Sequence, residues 1–363
     1  MSDDSYVVYL PALKAKAGEF GALEKLSLET KRRIRPLLDV LPVPIDWNTN
    51  APSKSLEEHL NAICRKIVKC WGTEQALFVD FFDLPLEERT SAGLHPVRHL
   101  FGAFDSARVK AIPVTGLDRD DAYNDAVKHA ALATKGAVAF RLLVEDIVLP
   151  TKTSSPLSKL IARLGTVPDK SWLILDFRGL TEEGVSEATQ QALVSLRTFT
   201  RLFDWKRIAL LASGMPDGLG DIRPNTRAAV PRTELSLWRG VVAGKPPATP
   251  VFGDYGVLNP EFTEPMDPRK IKPSAKIRYT RERDWLIAKG TSFRKDPGQF
   301  RRMAAFVAGQ PGYAGKAFSW GDEYIAVCPK KPGGAGNLET WVRVDTNHHI
   351  EFVSKQISTL LAS

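Results

Sequence analysis

Cysteine is scarce. Three occur in 363 residues, Cys64, Cys70 and Cys328, and none belongs to a close metal-ligand grouping. Cys64 and Cys70 are expected on different faces of one helix, so reduced thiols are the expectation. No stretch approaches the roughly 18 uncharged apolar residues of a membrane span, and no membrane partner is expected. Asp3 and Asp4 stand where a secretory signal would carry basic residues, which points to a cytoplasmic protein. No low-complexity tract occurs, and CxxC, the Rossmann fingerprint and the nucleophile elbow are missing. The segment 214–220 carries glycines but not the Gly-Lys-Ser/Thr of a P-loop. These absences exclude a disulfide scaffold and the enzyme classes with the plainest local signatures. Ligand binding stays open.

What is present is a soluble globular composition, 43% hydrophobic and 25% charged, with a net charge of +8. The basic excess is mild and suits an anionic small molecule or a nucleic acid as readily as a solvated surface. Short apolar runs recur, each ending in a polar group: 6–13 before Lys14, 34–38 before Asp39, 76–79 before Asp80, 137–140 before Arg141, 172–175 before Asp176 and 208–212 before Ser213. A buried parallel strand reads as such a run because helices cover both faces of its sheet. Helical stretches lie between the runs. Ser55 with Glu58 forms a capping box, and Thr181 is expected to cap a helix reaching about 203. With a fourth strand over 109–114 and an eighth over 249–254, the count predicts an α/β fold, a (β/α)8 TIM-like barrel. A doubly wound sheet is the alternative.

The pattern changes after Pro260. The runs 277–280 and 285–288 read as a β-hairpin, 299–307 as a helix, 330–337 as a flexible loop and 340–361 as a closing helix. The expected organisation is a barrel core over 1–256, a hairpin and helix insertion over 257–340, and a closing helix over 341–363 that rejoins the same domain.

Several ordered motifs resemble one family. They are Tyr-Val-Val-Tyr-Leu-Pro-Ala-Leu-Lys-Ala-Lys-Ala-Gly-Glu (6–19), Arg-Pro-Leu-Leu-Asp (35–39), Ile-Pro-Val-Thr-Gly-Leu (112–117) and Phe-Gly-Asp-Tyr (252–255). Ile-Arg-Tyr-Thr (277–280), Phe-Ser-Trp-Gly-Asp (318–322) and Asn-His-His (347–349) continue the series. The chain is similar to the "beta" family proteins of phages and bacteria. The resemblance implies an association with phage, prophage and mobile-element genomes, and with it a place in phage–host conflict or anti-phage defence. It brings no activity onto these positions.

In a barrel, polar groups at the strands' carboxyl ends converge on one rim, where such folds place their chemistry. That rim would collect Lys14, Lys16, Glu19, Asp39, Asp80, Thr115, Arg119, Arg141, Asp176, Arg178, Ser213, Asp254 and Tyr255. Lys14, Lys16, Asp39 and Asp176 are the catalytic candidates, because a desolvated lysine beside carboxylates can serve as base or nucleophile. Glu19, Arg141, Arg178, Ser213, Asp254 and Tyr255 are ligand-binding candidates, the arginines through bidentate forks suited to phosphate. The same set could instead be mutually neutralising salt bridges. Asp39, Asp80, Asp176 and Asp254 could ligate Mg²⁺, although no Asp-x-Asp pair adds local ligand density and no metal ligand is assigned. Arg278, Tyr279 and Trp320 offer aromatic faces beside charge, as base stacking requires. His348 and His349 point about 100° apart on a helix, so one is expected to pack and the other to face the rim or solvent, with His348 a further ligand-binding candidate beside Arg278, Tyr279 and Trp320. Two readings follow: a barrel binding and hydrolysing an anionic, phosphorylated or nucleotide-like ligand, or a non-catalytic component that recognises a protein or nucleic acid.

Overall fold

The computed structural model describes residues 4–261, 266–267, 269–330 and 333–362. Eight parallel strands close into a barrel. Seven lie in the first 213 residues: β1 (Tyr9–Lys14), β2 (Leu37–Asp39), β3 (Leu77–Asp80), β4 (Ala111–Thr115), β5 (Ala139–Leu142), β6 (Trp172–Gly179) and β7 (Arg207–Ser213). After an excursion through β8 (Thr226–Pro231), β9 (Val251–Asp254) closes the ring between β7 and β1. The expected (β/α)8 barrel is therefore the observed fold, with strand bounds that differ from the apolar runs by a few residues.

Helices fill the outer ring: α1 (Ala17–Glu24), α2 (Leu56–Cys70), α3 (Pro96–Ser106), α4 (Asp121–Ala131), α5 (Pro150–Leu164), α6 (Val185–Leu202) and α7 (Thr233–Ala243). The Ser55–Glu58 capping box forms in both directions, at 3.1 and 3.0 Å. The Thr181 cap does not. The chain turns over 182–184 and α6 begins only at Val185, with Gly184 rather than Thr181 at the cap position. The eighth helix position, beside α1, is taken by the C-terminal α10 (Leu338–Ala362), whose Ile350, Val353 and Ile357 join the barrel's outer core.

Between β9 and α10 lies a smaller unit. Its antiparallel sheet has the order β8, β11 (Asp284–Ser292), β10 (Ser274–Thr280). It is packed by α8 (Gln299–Ala308), α9 (Trp320–Val327) and α10 around Ile277, Tyr279, Phe300, Val307 and Trp341. The expected hairpin is β10–β11. The third strand, β8, was invisible to an apolar-run search because it is an edge strand, exposed along much of its length and ending in Pro231. Part of the expected loop over 330–337, residues 331–332, lies outside the described residues.

The barrel's inward faces follow strict alternation, as a pleated strand demands. Leu10 and Ala12 of β1, Leu37 of β2, Phe78 of β3, Ala139 of β5, Ile174 of β6, Leu211 of β7 and Val251 of β9 form the interior. The alternate residues, among them Leu13, Leu38, Val79, Phe140, Leu175, Leu210 and Phe252, face the helices. At the amino end Asp4 seals the interior by pairing with the buried Arg35 and accepting from Trp172 Nε1 at 3.1 Å.

Candidate functional site

Extending each inward row one step past the apolar interior gives the carboxyl-end mouth. Lys14 follows Ala12, Asp39 follows Leu37, Asp80 follows Phe78, Arg141 follows Ala139 and Asp176 follows Ile174. Register sets Lys14 beside Asp39 and Asp39 beside Asp80.

Arg141 is the hub and is fully buried. Its Nε donates to Asp176 Oδ2 at 2.9 Å. Its Nη1 reaches Asp39 Oδ1 at 3.0 Å and Asp80 Oδ2 at 2.8 Å, and its Nη2 reaches Tyr255 Oη at 2.8 Å. Lys14 Nζ takes the other Asp39 oxygen at 3.1 Å and also Asp83 at 2.6 Å. Arg119 takes the other Asp80 oxygen at 3.1 Å, joined by Tyr123 Oη at 3.2 Å. Tyr255 Oη donates to Asp176 Oδ2 at 2.5 Å, and the Arg178 amide donates to Asp176 Oδ1 at 2.9 Å. Every carboxylate oxygen of Asp39, Asp80 and Asp176 thus meets a donor. Burial would raise the Asp80 pKa, but Arg119 and Arg141 outweigh it and hold the group below the ordinary carboxylate range. Three cations (Lys14, Arg119, Arg141) pair with four aspartates (Asp39, Asp80, Asp83, Asp176), and a fourth, Arg178, contributes its backbone amide. Phe82 lies over this lattice, its ring centroid 4.9 Å from the Arg119 and Arg141 guanidinium carbons and 4.8 Å from that of Arg178.

Arg178 differs from the other three cations. It sits just past the β6 apolar run, where the pairing with β7 shifts register, with φ +55°, a left-handed conformation that costs a non-glycine residue about 1 kcal/mol or more. Its guanidinium points outward to Glu261, at 3.2 and 3.0 Å, and to the Pro260 carbonyl at 3.2 Å.

Glu19, from the first turn of α1, stands at the inner edge of the mouth with 2% of its surface exposed. Burial, offset only in part by its own backbone amide and Lys16, pushes its pKa up to about 7. Its Oε1 has no hydrogen-bond partner. It lines an enclosed cavity of about 10 Å³ together with Lys14, Tyr255, Asn259 and Thr346.

The mouth thus brings together Lys14, Glu19, Asp39, Arg141, Asp176, Arg178 and Tyr255 from the sequence-derived candidates, with Asp80 and Arg119. Others fall elsewhere. Lys16 is exposed at the amino end of α1. Thr115 faces outward and donates to Asn124 at 2.7 Å. Ser213 fixes backbone, accepting from the Met215 amide at 3.1 Å and donating to the Leu258 carbonyl at 3.4 Å. Asp254 has the parity of Phe252 and turns out of the barrel, where it accepts from Tyr9 Oη at 2.5 Å and pairs with His349 Nε2 at 2.9 Å. A shared Mg²⁺ site for Asp39, Asp80, Asp176 and Asp254 therefore has no geometric basis. Among the described residues no cluster of three or more His, Cys, Asp or Glu is placed to hold a metal.

Neither histidine faces the rim or solvent. His349 bridges Asp254 to Thr280 Oγ1, at 2.8 Å. His348 lies between Asp322 Oδ2 and the Thr280 carbonyl, both at 2.8 Å, stacked on Tyr279 with centroids 3.9 Å apart. Together they pin α10 to the barrel on one side and to the small sheet on the other. Tyr279 is 2% exposed, so it offers no face for a base. Arg278 turns to Asp345, its amide donating at 2.9 Å, and Trp320 leans on Tyr324. Tyr123 and Glu261 were missed because no apolar run precedes them directly, and Phe82 and Asp83 because the run 76–79 was read as ending at Asp80. The segment 80–83, a carboxylate, two aromatics and a second carboxylate just past β3, was the available signal.

No helix among the described residues is long and apolar enough to cross a membrane. No curated protein and no solved structure matches the chain. The profile of the Beta protein family matches residues 9–355. That match runs from the first barrel strand into the helix that closes the ring, and the chain belongs to the Beta protein family.

Proposed function

We propose that the mouth of the barrel binds a small anionic ligand, phosphorylated or nucleotide-like, with Arg178 as its principal contact. The observation that supports this is the asymmetry of the rim cations. Lys14, Arg119 and Arg141 are locked to buried aspartates. The side chain of Arg178 is paired instead with Glu261, whose own side chain is 57% exposed on a surface loop. The Arg178 side chain is largely buried but its partner is at the surface, and a pair open to solvent on one side is weaker than a fully buried one, so a phosphate or carboxylate that engages the fork bidentately can displace Glu261. The setting we infer, a phage or mobile-element genome, follows from the resemblance alone.

For hydrolysis of that ligand we assign proton transfer to Glu19. It is a carboxyl poised near neutrality with one oxygen free, beside a cavity large enough for about one water molecule. A thermal-shift screen of nucleotides and sugar phosphates, with and without Mg²⁺, tests the binding step. A ligand at about 100 times its Kd adds about 2.7 kcal/mol of stability. For at least one ligand of the screen the shift should vanish in Arg178→Ala and grow in Glu261→Gln, which removes the competing carboxylate. A screen in which nothing stabilises the protein, or one in which every shift survives Arg178→Ala, refutes the proposal. Glu19→Gln should retain binding and lose turnover.

A further inference from the structure

A second basic groove opens at the opposite, amino end of the barrel, between the end of α6 and the start of β7. It measures about 530 Å³ and is lined by Arg197, Arg201, Phe203, Trp205, Lys206 and Arg207, with Asp204 and Thr249 among its other walls. Four cations thus face one carboxylate. Two of the cations are anchored. Lys206 pairs with Asp4 at 2.6 Å, and Arg207 donates to the Asp4 and Val7 carbonyls at 2.6 and 3.0 Å.

Arg197 and Arg201 are different. They stand one turn apart on α6, exposed, and neither has an ion pair or hydrogen bond among the described residues. Cations near a helix carboxyl terminus are favoured by the helix dipole, which accounts for an isolated arginine there. It does not account for two unpaired forks over a groove with aromatic walls. Trp205 is held in its wall by Phe140 and Phe203, with ring centroids 5.6 and 5.5 Å away. Its indole N–H, buried, has no acceptor, although buried donors are normally satisfied.

We propose that this groove binds a nucleoside monophosphate. Its phosphate would be gripped by Arg197 and Arg201, and its ring would lie against Phe203 and Trp205. Guanidinium forks match phosphate oxygens bidentately, aromatic walls accept a flat ring whatever its edge pattern, and the volume falls in the range of small-ligand sites. This inference is independent of the mouth and of Arg178.

The test is titration of the full chain with AMP and, separately, with inorganic phosphate, followed by tryptophan emission and thermal shift. AMP should bind saturably and at least about tenfold more tightly than inorganic phosphate, a difference of about 1.4 kcal/mol. The exposed double variant Arg197→Glu/Arg201→Glu should keep the unliganded melting temperature and lose AMP binding by about tenfold or more. Arg178→Ala should leave AMP binding at this groove unchanged, and Trp205→Phe should shrink the emission change. The proposal is overturned if AMP fails to saturate, if inorganic phosphate binds equally well, or if the double variant binds AMP like the parent. It is also overturned if a single-stranded oligonucleotide displaces AMP at far lower concentration with steep salt dependence, which would identify a nucleic-acid surface instead.

Discussion

Arg141→Met should cost the protein about 4 kcal/mol near neutral pH, and most of that loss should disappear on mild acidification. The mouth holds three cations, Lys14, Arg119 and Arg141, in ion pairs with four aspartates, and Asp176 also accepts from the Arg178 amide. Removing the hub takes away one of those positive charges in a place closed to water. The cheapest escape is for one carboxylate of the cluster to take up a proton. From an unfolded-state pKa of about 3.9, protonating a carboxyl at pH 7 costs about 1.36 kcal/mol per unit, or about 4 kcal/mol. That agrees with the 3–5 kcal/mol typical of breaking a buried pair by removing one partner. At pH 5 the same step costs only about 1.5 kcal/mol. Urea denaturation of parent and variant at the two pH values reads the difference directly. Adding Asp176→Asn to Arg141→Met removes the stranded charge and should recover much of the loss at pH 7. A loss below about 1 kcal/mol at pH 7, or one of equal size at both pH values, would show that the lattice is not an electrostatic unit.

Glu19 gives a pH dependence of opposite origin. Its folded pKa of about 7 lies above its unfolded value, so folding favours the protonated form, and its contribution is lost as pH rises from about 4.5 to 7. Glu19→Gln should match the parent at pH 4.5 and exceed it by on the order of 2–3 kcal/mol above pH 7; a constant gap across a denaturation series contradicts this. Gly321→Ala should destabilise by roughly 2–3 kcal/mol in urea, because a Cβ there would stand 2.5 Å from the Val344 carbonyl on α10 and force α9 away. A neutral result would mean that the α9–α10 spacing is adjustable. Phe82→Ala should cost roughly 1–3 kcal/mol from three lost guanidinium contacts and raise the proteolytic susceptibility of the segment 80–83. Unchanged stability and cleavage would remove Phe82 from the account of the mouth.

The barrel was legible because burial on both faces leaves a parallel strand no alternation to hide in, and because most runs ended in a charge. The closing strand β9 followed from that count. β8 had no such signal: an exposed edge strand resembles a loop until its partner β11 is known. The rim was legible as a list but not as a set of partners. Asp254 and Tyr255 are neighbours in sequence, yet only Tyr255 shares the inward face of Val251, so one joins the mouth and the other joins His349. Counting parity from the first buried residue of the strand would have separated them. No local pattern could show that Arg141 reaches Asp39, which is 102 positions away. Cross-barrel pairing is a property of closure.

Closure also decides where function can reside. Asp4 with Arg35 seals the amino end, and the Arg141 lattice seals the carboxyl end with every oxygen of its three central aspartates engaged. A ligand that entered the lattice would have to break two or more buried charge pairs, each costly to unpair. Binding at the outer shell costs one pair that is open to solvent on the Glu261 side, Arg178 with Glu261. The difference, several kcal/mol, exceeds what a small ligand gains from a single added contact. Asp39, Asp80, Asp176 and Arg141 therefore act as a rigid support that aims Arg178 through the Asp176 carboxylate and the Tyr255 hydroxyl. Substitutions in the lattice should lower stability and affinity together, whereas substitutions at Arg178 or Glu261 should change affinity alone. A lattice variant that keeps its melting temperature but loses the ligand would place the contact inside the lattice and reverse this assignment.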